Sequence, residues 1–183
     1  MGRKYRITSK EEYYFVTFTV VKWINIFVKQ LHRDIIVDSI KFCQRHKGLK
    51  VGAWVLMTNH LHLIIASDGK RPLSDTIRDM KRHTSTRIKK YLFQNHYNNQ
   101  DWVYPILRES GLTNNRNKMF QLWQQHNHPI ELSDQFMFDQ RINYIHENPV
   151  KKGLVRNPED WVYSSAGDFY GYHGLIPIDL LDE

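Results

Sequence analysis

Cysteine, long apolar runs and acidic side chains are scarce in this 183-residue sequence. The single cysteine, Cys43, excludes an internal disulfide framework and a thiolate metal cluster, so we expect a reducing compartment. No run approaches the roughly 18 apolar residues that a membrane span requires, and no apolar segment follows the basic N-terminus. We therefore expect a soluble, cytoplasmic protein that does not enter a membrane.

The shortage of acidic residues gives the chain a positive charge. Its 26 Lys and Arg against 19 Asp and Glu give a net charge of +7 and a pI near 9.4. Such a charge favours a polyanionic partner such as nucleic acid, although proteins that bind nothing acidic also carry it. The length fits one domain, and we expect residues 1–183 to form a single domain with a C-terminal extension over about 156–183.

Hydrophobic periodicity predicts an α+β fold. The polar stretch 95–118 is expected to be a long loop, and Pro149 is expected to end the last helix at Asn148. This order of elements fits an antiparallel sheet with helices packed on it, close to the ferredoxin-like split βαβ plan. The predicted elements are a strand over 13–21, a helix over 33–46, two short strands within 51–66, a helix over 73–93, a strand over 119–124 and a helix from 133 to 146 or slightly beyond.

Two histidines, His60 and His62, lie in the β-like apolar stretch 51–66, VGAWVLMTNHLHLIIA. Side chains at i and i+2 of a strand point to the same face, so the two imidazoles can share one metal ion. So short a pattern often arises by chance, and histidines that face solvent or bond to neighbours are the alternative. His126 and His128 have the same spacing, but the polar residue between them and the proline that follows make a sheet position less favourable.

Tyr144 and Asn148 are four residues apart in the last predicted helix and therefore share a face. If that face meets His60 and His62, it brings a hydroxyl and an amide oxygen to the two imidazoles. A phenol can attack a phosphodiester and later be displaced by a sugar hydroxyl, because an aryl phosphate has a good leaving group. A bound divalent cation, Mg²⁺ or Mn²⁺, would polarise that phosphate. Simple packing of the tyrosine ring is the alternative.

Two motifs taken together resemble those of a known family. Residues 57–63, MTNHLHL, and 144–155, YIHENPVKKGLV, resemble segments of the IS200-like Y1 transposases, and within them the branch of REP-associated tyrosine transposases. Residues 161–166, WVYSSA, are similar to a later segment of that branch, and the resemblance covers about 14–170. It implies an HUH endonuclease fold and a metal-dependent single-strand DNA endonuclease and strand transferase that acts at DNA hairpins.

The resemblance also implies roles for individual residues. By motif position Tyr144 would be the catalytic nucleophile, which forms a 5′-phosphotyrosine link and releases a 3′-hydroxyl. The third metal ligand of the family, often Gln, lies four residues after the tyrosine, which is Asn148 in this sequence. Because the Asn side chain is shorter, Glu147 and His146 are alternatives. The implied metal, Mg²⁺ or Mn²⁺, would then be bound by His60, His62 and Asn148.

The implied partner is single-stranded DNA that carries hairpins. For the basic helix over 73–93, the alternative to contacts with DNA phosphates is an ordinary solvated surface. A monomer and a homodimer are both compatible with the sequence. Two other functions stay open: a catalytically idle, domesticated hairpin-binding protein, and an HUH relaxase or replication initiator, which usually has a helicase region or second tyrosine motif that this chain lacks. The candidate contacts to the DNA backbone are Arg3, Lys4, Arg78, Lys81, Arg82, Arg87, Lys89, Lys90, Lys151 and Lys152.

Overall fold

Four strands and five helices form the structure, a computed structural model that describes residue 7 and residues 12–96, 102–113 and 119–179. The strands are β1 (Tyr14–Thr19), β2 (Leu49–Leu56), β3 (His60–Ser67) and β4 (Ile130–Glu131). The helices are α1 (Gln30–Lys47), α2 (Leu73–His96), α3 (Val103–Leu112), α4 (Gln135–Lys151) and α5 (Ala166–Phe169). Single 3₁₀ turns cover Ile26–Val28 and Pro158–Asp160, and a turn with positive φ at two residues covers Val21–Trp23.

The sheet has the strand order β2-β3-β1-β4. β3 pairs antiparallel with both β1 and β2, so β1 and β2 run parallel with β3 inserted between them. That arrangement, with α1 connecting β1 to β2, is the split βαβ unit. The predicted α+β class and the ferredoxin-like sheet are therefore confirmed. No helix in the described part of the chain is long and apolar enough to cross a membrane.

Both faces of the sheet are covered, because side chains alternate along each strand. On one face Tyr14, Val16 and Phe18 of β1 belong to the larger core cluster, which they form with residues of α1 and α2. On the other face Phe15 belongs to a smaller cluster with Phe138 and further residues of α4. The register pairs Thr17 with His62, Thr19 with His60 and Phe15 with Ile64. Both histidines consequently lie on the face that α4 covers.

The segment after α4 packs against the outer edge of β2. The backbone N–H of Leu56 donates to the carbonyl of Tyr163 at 2.8 Å, and the N–H of Trp54 donates to Oγ of Ser165 at 2.9 Å. Further along, the N–H of Val51 donates to the carboxylate of Asp179 at 2.7 Å. These contacts occupy backbone groups at a sheet edge that would otherwise be unpaired.

The prediction of a loop over 95–118 is wrong, because this stretch contains α3 and the end of α2. α3 spans three turns, and its buried residues are Leu107 and Gly111. Val103, Tyr104 and Ile106 pack partly buried against the larger core. So short a helix carries too few apolar positions to produce a clear periodic signal, and tertiary packing stabilises it.

The predicted strand over 119–124 is also wrong. In this segment Trp123 makes one isolated bridge with Val20, and the regular pairing with β1 comes later, at β4. The segment does follow the free edge of β1, but its hydrogen bonds are spaced irregularly and form no ladder. These bonds run from Val21 N–H to Leu122 O, from Gln124 N–H to Thr19 O and from Thr17 N–H to Asn127 O.

Helix α4 does not end at Asn148 but continues through Pro149 to Lys151. Pro149 lies in the last turn, and the helix goes on because Lys152 N–H donates to the Asn148 carbonyl at 3.1 Å. Gly153, at φ +68°, then reverses the chain. The helix ends in a Schellman motif, with Gly153 N–H on the Val150 carbonyl at 2.8 Å and Leu154 N–H on the Pro149 carbonyl at 2.9 Å. The KKGLV residues of the sequence motif thus terminate the helix.

Candidate active site

His60 and His62 open β3 and lie side by side on the face of the sheet that α4 covers. Their ring centroids are 4.7 Å apart and their planes meet at 71°. The side chains are 8% and 5% exposed, so little water reaches them. Two adjacent, largely buried imidazoles on a rigid strand are a preorganised pair of nitrogen ligands.

The Nδ1 atom of each imidazole has a hydrogen-bond partner in a neighbouring side chain. Nδ1 of His60 lies 2.7 Å from Oδ1 of Asn59, and Nδ1 of His62 lies 2.8 Å from Oγ1 of Thr17. An amide oxygen only accepts, so Nδ1 of the neutral His60 ring carries the proton and its Nε2, on the side of Asn148, carries the lone pair. Among the described residues Nε2 of His62 has no hydrogen-bond partner, although it is buried. The Nε2 atoms are thus the ones available to a ligand.

Both imidazoles are held in the neutral form. Burial and, to a smaller extent, the charge of Lys152 lower the pKa of His60 to about 4, while a hydrogen bond with the Asn148 side chain works in the opposite direction. Burial lowers the pKa of His62 to about 3, with smaller contributions from His60 and Arg141. A neutral imidazole is the form that binds a metal ion.

Tyr144 projects from α4 onto the histidine pair. Its ring meets that of His62 edge-on, with 5.3 Å between centroids, and that of Phe15 at 5.9 Å. Phe15 also stacks on His62 at 5.3 Å, so the three rings fix one another. The tyrosine remains 40% exposed. A phenol that a substrate can reach therefore lies directly beside the two imidazoles.

Asn148 lies one turn further along α4, is 8% exposed and is hydrogen-bonded to His60. Its Nδ2 donates to the Tyr144 carbonyl at 3.5 Å, so its amide oxygen is the atom that faces His60, and a metal ion would replace that contact. His146 is engaged elsewhere: its Nε2 lies 2.9 Å from Oγ of Ser165 and its ring contacts Phe169. No group of three His, Cys, Asp or Glu side chains suited to a metal occurs in the described part of the chain. Asn148 is thus the best placed of the three candidates for a third ligand.

The predicted DNA-contacting residues of α2 differ in their surroundings. Lys81 is directed into the protein, where Nζ donates to the Gln124 carbonyl at 2.8 Å and to Oδ1 of Asn127 at 2.6 Å. Together with Arg78 and Arg82 it lines a groove of about 630 Å³ between α2 and residues 120–127. Each of these three cations has polar or acidic neighbours. Their role as contacts to DNA phosphates stays a prediction.

Arg78 and Arg82 both lie near Asp79, and Arg78 also pairs with Asp75 at 2.7 Å. The Asp79 carboxylate lies 3.2 Å from Arg82 and 3.8 Å from Arg78, and it also pairs with Lys47 and Arg71. The remaining candidate DNA contacts are more widely spread. Four of them are exposed, namely Arg87, Lys90, Lys151 and Lys152, and Lys89 is half-buried near the Phe120 ring. The last two, Arg3 and Lys4, lie outside the described residues.

Several site residues were not predicted from the sequence. Thr17, Asn59 and Phe15 hold the imidazoles, and the Arg141 guanidinium lies 5.1 Å from the centroid of the Phe15 ring. Thr17 and Phe15 belong to β1, and only the register of β1 with β3 brings them to His62. Arg141 offered a signal, since it precedes Tyr144 by three residues and so shares its side of the helix.

The fold and the site together characterise a structural class of protein. Its members have an antiparallel sheet with a His-x-His pair, and a helix that places a tyrosine and an amide side chain against that pair. Residues 8–103, more than half of the chain, match the family model described as “Transposase IS200 like”. The chain belongs to this IS200-like transposase family, which places it among DNA-processing enzymes. No curated protein matches the chain.

Two solved structures are similar to this chain. One is a REP-associated tyrosine transposase bound to a REP hairpin, with a TM-score of 0.63 and 20% identity, covering 100% of this chain and 93% of that one. The other is a provisionally named transposase from Deinococcus radiodurans R1, with a TM-score of 0.48 and 16% identity, covering 80% of this chain and 97% of that one. At 20% identity the first likeness shows a shared fold, and the resemblance to the REP-associated branch is confirmed at that level.

Proposed function

We propose that this protein is a metal-dependent tyrosine transposase that cleaves and rejoins single-stranded DNA at hairpins. The observation that carries the proposal is the contact of the Tyr144 ring with His62, whose buried Nε2 has no partner among the described residues, beside His60 and Asn148. Membership of the transposase family supports DNA as the substrate. The REP hairpin bound to the similar transposase supports a hairpin as the structure recognised.

The donor set fits a divalent metal ion. Nε2 of His60, Nε2 of His62 and the amide oxygen of Asn148 would hold it, while Asn59 and Thr17 orient the two rings. Three protein ligands leave coordination positions for water and substrate. The bound Mg²⁺ or Mn²⁺ would polarise the scissile phosphate and offset the charge that develops on it.

In the cleavage step Tyr144 is the nucleophile. Its Oη forms a bond to the phosphorus, and the bond from that phosphorus to the 3′-oxygen of the preceding nucleotide breaks. The phenolic proton is released, and the departing 3′-oxygen takes up a proton to become a 3′-hydroxyl. The downstream strand remains joined to the protein through a 5′-phosphotyrosine.

Strand transfer reverses these bonds with a different 3′-hydroxyl. Its oxygen attacks the phosphotyrosine phosphorus and releases its proton, and the tyrosine leaves as a phenolate that takes up a proton. Because an aryl phosphate has a good leaving group, the energy of the original phosphodiester is conserved in the intermediate and no nucleotide cofactor is required.

A covalent-capture experiment tests the proposal. Hairpin oligonucleotides with randomised single-stranded flanks and a 3′ label are incubated with the protein and Mn²⁺ or Mg²⁺, and denatured adducts are collected. We expect a labelled adduct whose strands share one 5′ end. The adduct should be absent with EDTA and with Tyr144→Phe, and it should persist with the control Tyr170→Phe, whose ring is 60% exposed.

Two results would contradict the mechanism. An adduct that survives Tyr144→Phe would show that another residue is the nucleophile. Retention of hairpins without any adduct in the presence of either metal would leave a hairpin-binding protein that does not cleave.

A further inference from the structure

The loop after β1 contains an unusual backbone feature. Lys22 and Trp23 are consecutive non-glycine residues with positive φ, at 54° and 56°. A single positive φ is uncommon outside glycine, and for a bulky residue it is an outlier that costs free energy. Such conformations persist only where the surroundings enforce them, and they occur most often at functional sites.

Hydrogen bonds and flanking anchors enforce this conformation. The Trp23 N–H donates to the Val20 carbonyl at 3.1 Å, and the Trp23 carbonyl accepts from Nδ2 of Asn59 at 3.2 Å. On either side of the pair Val21 and Ile24 are buried in the larger core. Lys22 and Trp23 therefore form a two-residue surface turn between two residues that are anchored in the core.

This surface turn presents an indole ring at the edge of the candidate active site. Trp23 is 59% exposed, and its ring meets the His60 imidazole edge-on with 6.1 Å between centroids. Asn59 links the two residues, since its Oδ1 pairs with Nδ1 of His60 and its Nδ2 binds the Trp23 carbonyl. The position of the indole is thus coupled to that of a candidate metal ligand.

A role in folding does not explain this arrangement. An indole that stabilises the fold is buried, as Trp54 is at 0% and Trp123 at 5% exposure. Isolated exposed aromatic residues are ordinary, and Trp102, at 67% exposure, is one of them. Trp23 differs because a strained backbone holds its apolar ring in solvent beside His60, one of the two candidate metal-binding imidazoles.

We propose that Trp23 is a stacking platform for an unpaired base of the DNA strand, next to the phosphate that Tyr144 attacks. The inference rests on the proposed function, because it takes the DNA and the attacked phosphate from it. Every base has a π-face, so an indole orients a nucleotide without reading its sequence. Base stacking on an aromatic side chain changes affinity by roughly 5- to 150-fold, as measured by alanine substitution.

Fluorescence of 2-aminopurine tests stacking without requiring cleavage. The Tyr144→Phe protein is first used to select strands from the hairpin oligonucleotides with randomised flanks. The selected strands are then resynthesised with 2-aminopurine at each single-stranded position in turn. We expect quenching at one or two adjacent positions. Adding Trp23→Ala should abolish the quenching and weaken binding by about 10-fold or more, whereas Trp23→Phe should retain most of both. The matched control, Trp102→Ala, should leave both unchanged.

Thermal unfolding separates a binding role from a structural one. Because the indole is largely exposed, Trp23→Ala should melt within about 2 °C of the parent, a shift that corresponds to well under tenfold in the folding equilibrium. Quenching that persists in Trp23→Ala, equal losses in Trp102→Ala, or a Tyr144→Phe protein that retains no strand would each overturn the inference. Trp23-dependent quenching without a covalent adduct in the unmodified protein would overturn cleavage but not stacking.

Discussion

At the scale of single residues, the state of the histidine pair depends on side chains from other parts of the chain. Thr17 and Asn59 occupy the Nδ1 atoms, and Phe15 stacks on His62. These neighbours fix the direction of each ring and leave Nε2 as the nitrogen that a metal ion would bind. Residues that orient a ligand without touching the metal usually contribute strongly to metal affinity.

Replacing Thr17 with Val should weaken metal binding although the ligands themselves are unchanged. Val keeps the size of the side chain but removes the hydroxyl 2.8 Å from Nδ1 of His62. We expect the Mn²⁺ affinity, measured by titration calorimetry, to fall by about 10- to 100-fold. Thr17→Ser keeps the hydroxyl and should bind nearly as the parent does. Equal affinities for the Val and Ser variants would exclude an orienting role for this hydroxyl.

Lys81 should make protein stability depend on pH in the alkaline range. Burial lowers its pKa from 10.5 to about 8, so between these values the unfolded chain binds more protons than the folded one. The free energy of unfolding should therefore rise with pH across this window, by on the order of 3 kcal/mol relative to Lys81→Met. Urea unfolding at pH 7.5 and pH 10.5 measures the difference. The exposed control Lys90→Met should run parallel to the parent.

At the scale of elements, α4 presents Tyr144 and Asn148 because both of its ends are well defined. Oδ1 of Asp134 accepts from the Met137 N–H at 2.8 Å at the first turn, and the Schellman motif at Gly153 closes the last. Helix α3 is held differently, by the close approach of Gly111 to the backbone of Phe120.

Gly111→Ala should separate α3 from the 120–127 segment. A Cβ at this position would collide with backbone atoms of Phe120, which cannot move as a flexible side chain does. We expect a loss of about 1–3 kcal/mol in the free energy of unfolding, the range typical of overpacking. Gly167→Ala is the matched control, since its Cβ would meet only the Tyr172 side chain at 3.6 Å. Denaturant melts that show equal losses would contradict this account of the packing.

At the scale of the whole molecule, the proposed association with DNA should depend on charge. The net charge is +7, and the exposed Lys151 and Lys152 follow directly after the helix that carries Tyr144. Cations that contact phosphates release counterions, so their number determines how steeply affinity falls with salt. Cations that are only part of a solvated surface do not affect this slope.

Removing Lys151 and Lys152 together should reduce the salt dependence of hairpin binding. If both contact phosphates of single-stranded DNA, the slope of log K against log salt should become shallower by about 1.4. Fluorescence anisotropy with the Tyr144→Phe protein measures the slope without cleavage. Lys70→Ala is the control, because Lys70 lies in the loop beyond the opposite end of β3 and pairs with Asp68. A slope that is the same in both variants would place the two lysines outside the DNA contact.

Elements with strong local signals were predictable. The β-like pattern around His60 and His62 predicted a strand, which β3 confirms, and the periodicity after residue 133 predicted a helix, which α4 confirms. α3 and β4 were missed, because a three-turn helix and a two-residue strand contain too little periodicity and depend on tertiary contacts. The helix end predicted from Pro149 was also wrong. Pro149 lies in the last turn of α4, and the glycine motif at Gly153 ends the helix three residues later than predicted.

For the candidate site, the sequence by itself determined the chemistry: two imidazoles with i, i+2 spacing, and a phenol and an amide with i, i+4 spacing. Local periodicity dictates which side chains share a face, so both pairs could be recognised separately. Only the tertiary structure decided that the two faces meet, that Thr17 and Asn59 orient the rings, and that Trp23 is held in solvent beside His60. These contacts depend on strand register and helix packing, which arise from burial across the whole core and not from neighbouring residues.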